Sequence, residues 1–375
     1  MKKKIILHYS VFNRGGAEWS TLRILKLFLK NGWDVTLLLN FKGGTLEEAL
    51  PEEVKVKHLY SMTMDKYQNK IFRYVYRFFD LIRMLFMGVE FKFDKYDIAA
   101  IGLQGLSPFF ICKVIRADKR IIFLRTDIAK CVKREEIKAN LLKYKEKLNA
   151  LICVSKTVKD SVHEVADILD EKAVVVYNVL FADEMRSKAA GQQSPYKDNE
   201  LVNVVTVCRM SDKAKGLFRM LEVYDRLYKQ GVVFNWYLVG NGPDLPKVKE
   251  KVEQMGYVDH IYIEGEQSNP FPYYKYADLV AILSYYEGLC GVVNEAKVSG
   301  AAVIATEFSG IHEQITHGQN GWIVDNDTEA IVEGMKKLIT DDKLRKSLQN
   351  TDYPEIILND QYKYESILKA LHIDN

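Results

Sequence analysis

Short apolar runs alternate with stretches of helical periodicity along nearly the whole chain, and the alternation pauses once, at 186–200. That punctuation leaves few folds open. Short apolar runs bounded by turns read as strands buried on both faces, and such strands belong to parallel sheets. Parallel neighbours need crossovers, which the intervening helices supply with a right-handed turn. At 375 residues the chain is too long for one compact core, so two domains of about 180 residues are expected. The pause, RSKAAGQQSPYKDNE, is polar and aperiodic, and it reads as the boundary. The expected layout is a domain at 1–185, a linker at 186–200, a second domain at 201–355, and a terminal helix at 356–375 free to cross back to the first.

In the first half, strands are expected at 4–9, 34–39, 97–101, 120–124, 150–154 and 173–176. The opening β-α-β unit is Rossmann-like, but its turn, NRGGAE, is not G-x-G-x-x-G. Asn40 also stands where a ribose-holding acid would be, so no dinucleotide site is expected. Gly15 and Gly16 let backbone approach a ligand closely, or simply make a turn. Arg125, Thr126 and Asp127 follow a strand end and face the crevice at the carboxyl edge of the sheet. One helix is predicted over 66–87. Lys66, Lys70, Arg73 and Arg77 form one stripe of it, and Ile71, Tyr74, Phe78, Ile82 and Leu85 another. A basic face interleaved with aromatics suits an anionic membrane. It equally suits a surface helix with its apolar stripe on the core.

The second half repeats the pattern. Arg209 ends a strand at 202–208, and Lys215 lies on the loop that follows. Two cations on one strand-end loop could clamp a diphosphate, or be solvated. A strand at 234–239 runs into Gly240 and a turn, GNGP. A strand at 279–284 leads to a turn carrying Glu287, then a helix at 291–299 with Gly300 as its C-cap. Glu295 lies eight residues beyond Glu287, within that helix. The amides from Gly291 through Val292 and Val293 to Asn294 open the helix and could cradle an anion. Two carboxylates for hydroxyls with a phosphate cradle between them is what a nucleotide sugar needs. Both acids would also suit the positive end of a helix for purely structural reasons.

Several classes are excluded. A net charge of +3 does not point to nucleic acid. The five cysteines contain no C-x-x-C pair, which argues against disulfides or zinc and for a reducing compartment. The apolar run near the start is too short for a signal peptide, and no run is long enough to span a membrane.

With Arg209 followed by Lys215-Gly216, LVGNGP, NPFPYYKYADLV, SYYEGLCGVVNEA, ATEFSG and ITHGQNGWIV, the second half closely resembles retaining glycosyltransferases of family 4. NRGGAE, VSKTVKDSV and VYN extend the resemblance over most of the chain. It implies a GT-B fold: α/β, with two Rossmann-like parallel-sheet domains facing each other across a cleft. It implies a retaining, metal-independent hexosyl transfer with no cofactor beyond the nucleotide-diphosphate sugar. Glu287 would hold donor-sugar hydroxyls and Glu295 the ribose. Arg209 and Lys215 would neutralise the departing diphosphate in place of a metal. Gly15, Gly16, Gly240, Gly291, Val292 and Val293 would complete the donor contacts. One departure concerns Arg125, which stands where many members carry His. Arg cannot act as a base, so Arg125 and Asp127 are assigned to an anionic acceptor or phosphate. The expected donor is a UDP-sugar, GDP donors also occurring in such enzymes. The expected acceptor is a glycan or lipid-linked glycan in surface-polysaccharide assembly, on the cytoplasmic face of the membrane, with 66–87 as the peripheral contact. An epimerase or hydrolase on the same plan, and a non-catalytic binding module, are the rivals.

Overall fold

The computed structural model describes residues 2–197 and 200–374. Within its long helix the side chains of 70–75, 77 and 78 lie outside the description. The chain forms two compact units, Met1–Val179 with Asn359–Asn375, and Leu180–Leu358. The division thus falls at Val179/Leu180, ahead of the polar 186–200 stretch. The helix Ala182–Ala189 and the segment after it belong to the second unit. There Tyr196 is buried, and Tyr276 Oη donates to Gln192 O at 2.6 Å. Polarity marked the neighbourhood of the boundary, but one buried aromatic anchors most of that stretch to the second unit.

The first unit holds a seven-stranded parallel sheet. Its strands are β1 (Lys4–Tyr9), β2 (Asp34–Leu39), β3 (Lys55–His58), β4 (Tyr96–Ile101), β5 (Ala117–Leu124), β6 (Ala150–Cys153) and β7 (Ala173–Val175). Their order is β3-β2-β1-β4-β5-β6-β7, reversing direction between β1 and β4. Strand β3, KVKH, was not anticipated. It is an edge strand with one apolar residue, so it carries no hydrophobic signal. The terminal helix Asp360–Ala370 packs in this unit. Trp33 Nε1 donates to Tyr364 Oη at 2.7 Å, and Lys363 Nζ to Asn178 O at 2.8 Å.

The expected helix at 66–87 is two helices, Met64–Gln68 and Lys70–Phe93, broken at Asn69, whose backbone is extended. Asn competes poorly inside a helix because its amide bonds to nearby backbone. Asp80, Met87 and Phe91 turn inward, with Asp80 Oδ1 accepting from Ser61 N and Oγ. Phe79, Leu85, Phe86, Val89 and Phe93 turn outward, Phe86 being 73% and Phe93 83% exposed. Of the two stripes read from sequence, Ile71, Tyr74 and Phe78, and Lys70, Arg73 and Arg77, lie outside the described side chains. Among the described residues no helix is long and apolar enough to cross a membrane.

The second unit holds a six-stranded parallel sheet. Its strands are β8 (Asn203–Val207), β9 (Asn235–Val239), β10 (Ile261–Gly265), β11 (Leu279–Ile282), β12 (Val303–Thr306) and β13 (Trp322–Val324). Their order is β10-β9-β8-β11-β12-β13, with the reversal between β8 and β11. Val204, Trp236, Leu238, Leu279 and Ala281 of the sheet pack with Leu221, Tyr224, Ile331 and Met335 of the flanking helices into one core. Asp327 caps the helix Thr328–Thr340 by accepting from Ala330 N at 2.9 Å.

Candidate functional site

The reversal between β8 and β11 decides where the site forms. Adjacent strands whose following helices go to opposite faces leave a crevice at their carboxyl ends, where ligands of open α/β sheets bind. The loop after β8 carries Arg209 and Lys215, and the loop after β11 carries Glu287. Strand order thereby brings together side chains 72 residues apart, and Lys215 Nζ donates to Glu287 Oε1. Ser284 Oγ donates to the same oxygen at 2.8 Å. Both members of the ion pair are largely buried. Burial is the largest single influence and lowers the Lys215 pKa, but the charge and hydrogen bond of Glu287, with smaller contributions from the neighbouring cysteines, together hold the ammonium above its ordinary value. Cys208 and Cys290 flank the pair, and burial pushes each thiol up to about 12, so neither adds a charge.

Glu287 precedes the helix Gly291–Val298, whose C-terminus is closed by Gly300 at φ +85°. Glu295 lies on that helix, and Tyr274 Oη donates to its Oε2 at 3.1 Å. Val293 is buried, Val292 half-buried and Gly291 exposed. Arg209 is exposed at the mouth of the β8 loop. Gly240 is required on packing grounds: its φ is +136°, and a Cβ there would lie 1.9 Å from Cys208 O. Gly242 likewise sits on Met210, so the loop after β9 lies flat on the loop carrying Arg209. Sequence reasoning missed Ser284 and Tyr274. Ser284 lies at the end of the same apolar run, and Tyr274 is inside the NPFPYYKYADLV stretch that carries the family resemblance.

In the first unit the expected residues are engaged with the protein itself. Gly15 is extended, φ −164°, and caps the helix Gly16–Lys30; a Cβ there would meet only the Glu18 carboxylate. A Cβ at Gly16 would meet nothing within 4 Å. The Arg125 guanidinium donates to Gly102 O at 2.8 Å, Ser20 Oγ at 2.6 Å, Asn178 Oδ1 at 3.1 Å and Thr21 Oγ1 at 3.1 Å. Burial lowers its pKa to about 10. Instead of presenting a fork to a ligand, Arg125 ties the ends of β4 and β7 to the first helix. Asp127 is buried and organises its own turn, accepting from Ala129 N at 3.0 Å and pairing with Lys130 at 3.3 Å. Among the described residues no three His, Cys, Asp or Glu side chains converge as metal ligands would.

Residues 188–353 match the family model described as glycosyl transferases group 1. An amylovoran biosynthesis glycosyltransferase of Erwinia amylovora is 25% identical over 98% of this chain and 100% of its own length. An N-acetylgalactosaminyltransferase of Campylobacter jejuni acting on a diphospho-undecaprenol-linked sugar is 25% identical over 49% of this chain; the match spans 48% of that protein, about half its length. The crystal structure of Anabaena HepE in complex with UDP superposes with a TM-score of 0.73 at 16% identity, covering 99% of both chains. The fold is therefore that of the two-domain GT-B class. Residues 188–353 thus resemble the group 1 glycosyl transferases, and the relative aligned from end to end carries a glycosyltransferase name.

Proposed function

We propose that this chain moves a hexosyl group, with retention and without a metal, from a nucleoside-diphosphate sugar to a glycan or lipid-linked acceptor in surface-polysaccharide assembly. The observation that carries the reading is the meeting of Lys215 and Glu287 at the strand-order reversal of the second sheet, beside the N-terminus of a helix. In this reading Lys215 and Arg209 receive the charge that grows on the diphosphate as the glycosyl–oxygen bond breaks. The amides of Gly291, Val292 and Val293 complement the same phosphates. Glu287 grips donor-sugar hydroxyls, Glu295 the ribose, and Gly240 shapes the loop beneath the nucleotide. Retention follows if the acceptor oxygen attacks the face that the diphosphate leaves, with the acceptor proton passing to a departing phosphate oxygen. No side-chain base is then needed. The donor base is taken as uracil, in keeping with the neighbour that binds UDP.

The acceptor is assigned to the first unit, where Gly15 and Gly16 open a helix. Arg125 would act there by holding that helix, and Asp127 by shaping the adjoining turn. A lipid-linked acceptor fits the outward face of the helix Lys70–Phe93, whose exposed Phe79, Phe86 and Phe93 recur at helical spacing. Peripheral attachment at the inner face of the cell membrane is part of this reading.

Thermal-shift screening against UDP-, GDP- and dTDP-sugars tests the donor assignment. Stabilisation by UDP-sugars, followed by transfer to a lipid-linked glycan with the anomeric configuration kept by NMR, is the expected result. Stabilisation by none of them, or an inverted product, overturns it.

A further inference from the structure

The helix Gly291–Val298 begins at Cys290, which makes no side-chain capping hydrogen bond. An uncapped N-terminus leaves its first turn free to fray. Here the support comes from another element. Gln314 ends the short helix Ile311–Gln314 after β12 and is 1% exposed. Its amide brackets the Cys290 backbone: Oε1 accepts from Cys290 N at 3.2 Å, and Nε2 donates to Cys290 O at 2.8 Å. Nε2 also donates to Asn294 Oδ1 at 2.6 Å, one turn into the helix. Tyr353 Oη donates to the same Asn294 oxygen. Asn294 is fully buried, and its Nδ2 has no hydrogen-bond partner among the described residues. Retaining a half-satisfied buried amide is costly, so its Oδ1 contacts must do something a leucine could not.

A second contact supports the same junction. Gly310 has φ +79°, and a Cβ there would lie 2.5 Å from Gly288 O. The loop after β12 is therefore pressed against the Glu287–Gly288 turn while Gln314 holds the residue before the helix. One buried polar junction thus supports the start of the helix, next to the turn that carries Glu287.

We propose that Gln314, through Cys290 and Asn294, is a positioning residue for the diphosphate of the donor, aiming the first-turn amides of the helix at it. The proposal rests on the donor reading given above. Gln314 touches no reacting atom, so its loss should show in recognition of phosphate more than of the nucleoside.

The test compares UDP with uridine by calorimetry on the full chain, native and variant, alongside circular-dichroism melts. Gln314→Leu removes every bond. Gln314→Glu keeps the size and the acceptor for Cys290 N but turns the donor into an acceptor. Both are expected to weaken UDP at least tenfold, to leave uridine within about twofold, and to lower kcat/KM for the donor in step. Tyr353→Phe, which removes a single bond to Asn294, is expected to shift the UDP-to-uridine ratio in the same direction by a smaller factor. UDP affinity within twofold of native in a folded variant overturns the proposal. So does equal loss of UDP and uridine, the mark of general unfolding. Should Gln314→Leu fail to fold, Gln314→Glu and Tyr353→Phe decide. Native protein that binds neither UDP nor GDP overturns the donor reading itself, an outcome distinct from a variant that matches native.

Discussion

Lys215 and Glu287 share a buried salt bridge at the carboxyl ends of two strands that are neighbours only because the sheet reverses its order between them. The proposed clamp for the diphosphate and the proposed grip on the sugar therefore neutralise each other. Such a pair is held ready: the ammonium stays charged, and Ser284 fixes the carboxylate. Lys215→Ala is expected to cut turnover by roughly 2–4 kcal/mol of transition-state stabilisation. It should also lower Tm, because Glu287 is left buried and unpaired. With the two side chains 20% and 16% exposed, the stability loss should fall short of the about 3–5 kcal/mol seen for a fully buried pair. The double variant Lys215→Met with Glu287→Leu separates the two effects. Its melting temperature should return toward native while transfer remains abolished. Activity in the double variant would show that the charges serve only the fold.

Two glycines that look alike in sequence should behave differently. Gly240→Ala places a methyl 1.9 Å from Cys208 O in a backbone conformation that L residues rarely adopt. Strain and clash together should cost about 2–4 kcal/mol, toward the upper end of single substitutions. Gly15→Ala has extended backbone and need displace only the end of the Glu18 side chain. It should melt within a few degrees of native. Denaturant titrations of both variants check the contrast, and equal losses would contradict it.

What the sequence disclosed, and what it withheld, follows from the range of each signal. Buried parallel strands are continuous apolar runs, so both sheets were legible strand by strand, apart from β3, whose KVKH has nothing to bury. The R-x5-K loop and the E-x7-E element are local patterns and could be read directly. Whether Lys215 meets Glu287 depends on strand order, which no local pattern encodes. Arg125 looked like a free cation after a strand. Its four acceptors come from Gly102, Ser20, Thr21 and Asn178, scattered over more than 150 residues. Gln314 was invisible for the same reason, since its partners arrive from the loop after a different strand. Most of the two stripes read on the helix at 66–87 fall outside the described side chains, and of the remainder Leu85 turns outward. Asp80 is held inward by its bonds to Ser61, a pairing across 19 residues that helical periodicity does not encode.

Arg125→Lys tests the cross-tie directly. Lysine keeps a charge but gathers its three donors on one nitrogen in place of a planar fork, so the four bonds, spread over three guanidinium nitrogens, cannot all be remade. A drop in Tm with the KM for acceptor little changed is the expected result. A native melting temperature with acceptor KM raised tenfold would instead favour direct binding of an anionic acceptor.

The exposed aromatic face predicts behaviour at a lipid surface. Phe79→Ser, Phe86→Ser and Phe93→Ser together remove three outward side chains that are already solvated, so stability should hold or improve. Binding to vesicles with anionic headgroups should fall by an order of magnitude or more in flotation, since each lost ring is worth on the order of 1–3 kcal/mol of apolar burial. Native protein that fails to float with such vesicles at low salt would refute the attachment.

Lys297 gives a pH dependence whose sign can be worked out. It lies within the helix Gly291–Val298, 4% exposed, and its Nζ donates to Ala301 O at 3.3 Å, Leu348 O at 3.0 Å and Thr351 Oγ1 at 2.7 Å. All three partners are neutral oxygens. Burial lowers its pKa from 10.5 to about 8. Below about pH 8 the lysine is charged in both the folded and the unfolded chain, and the folded state bears the full cost of the buried charge. Between about 8 and 10.5 the unfolded chain still holds the proton while the folded chain has released it. Stability then rises with pH over that window, because the unfolded state binds more protons. Lys297→Met removes the group, and with it this slope. The difference in unfolding free energy, native minus variant, should climb steadily from pH 8 to 10 in parallel denaturant titrations. A flat or falling difference would mean that a charged partner compensates the ammonium.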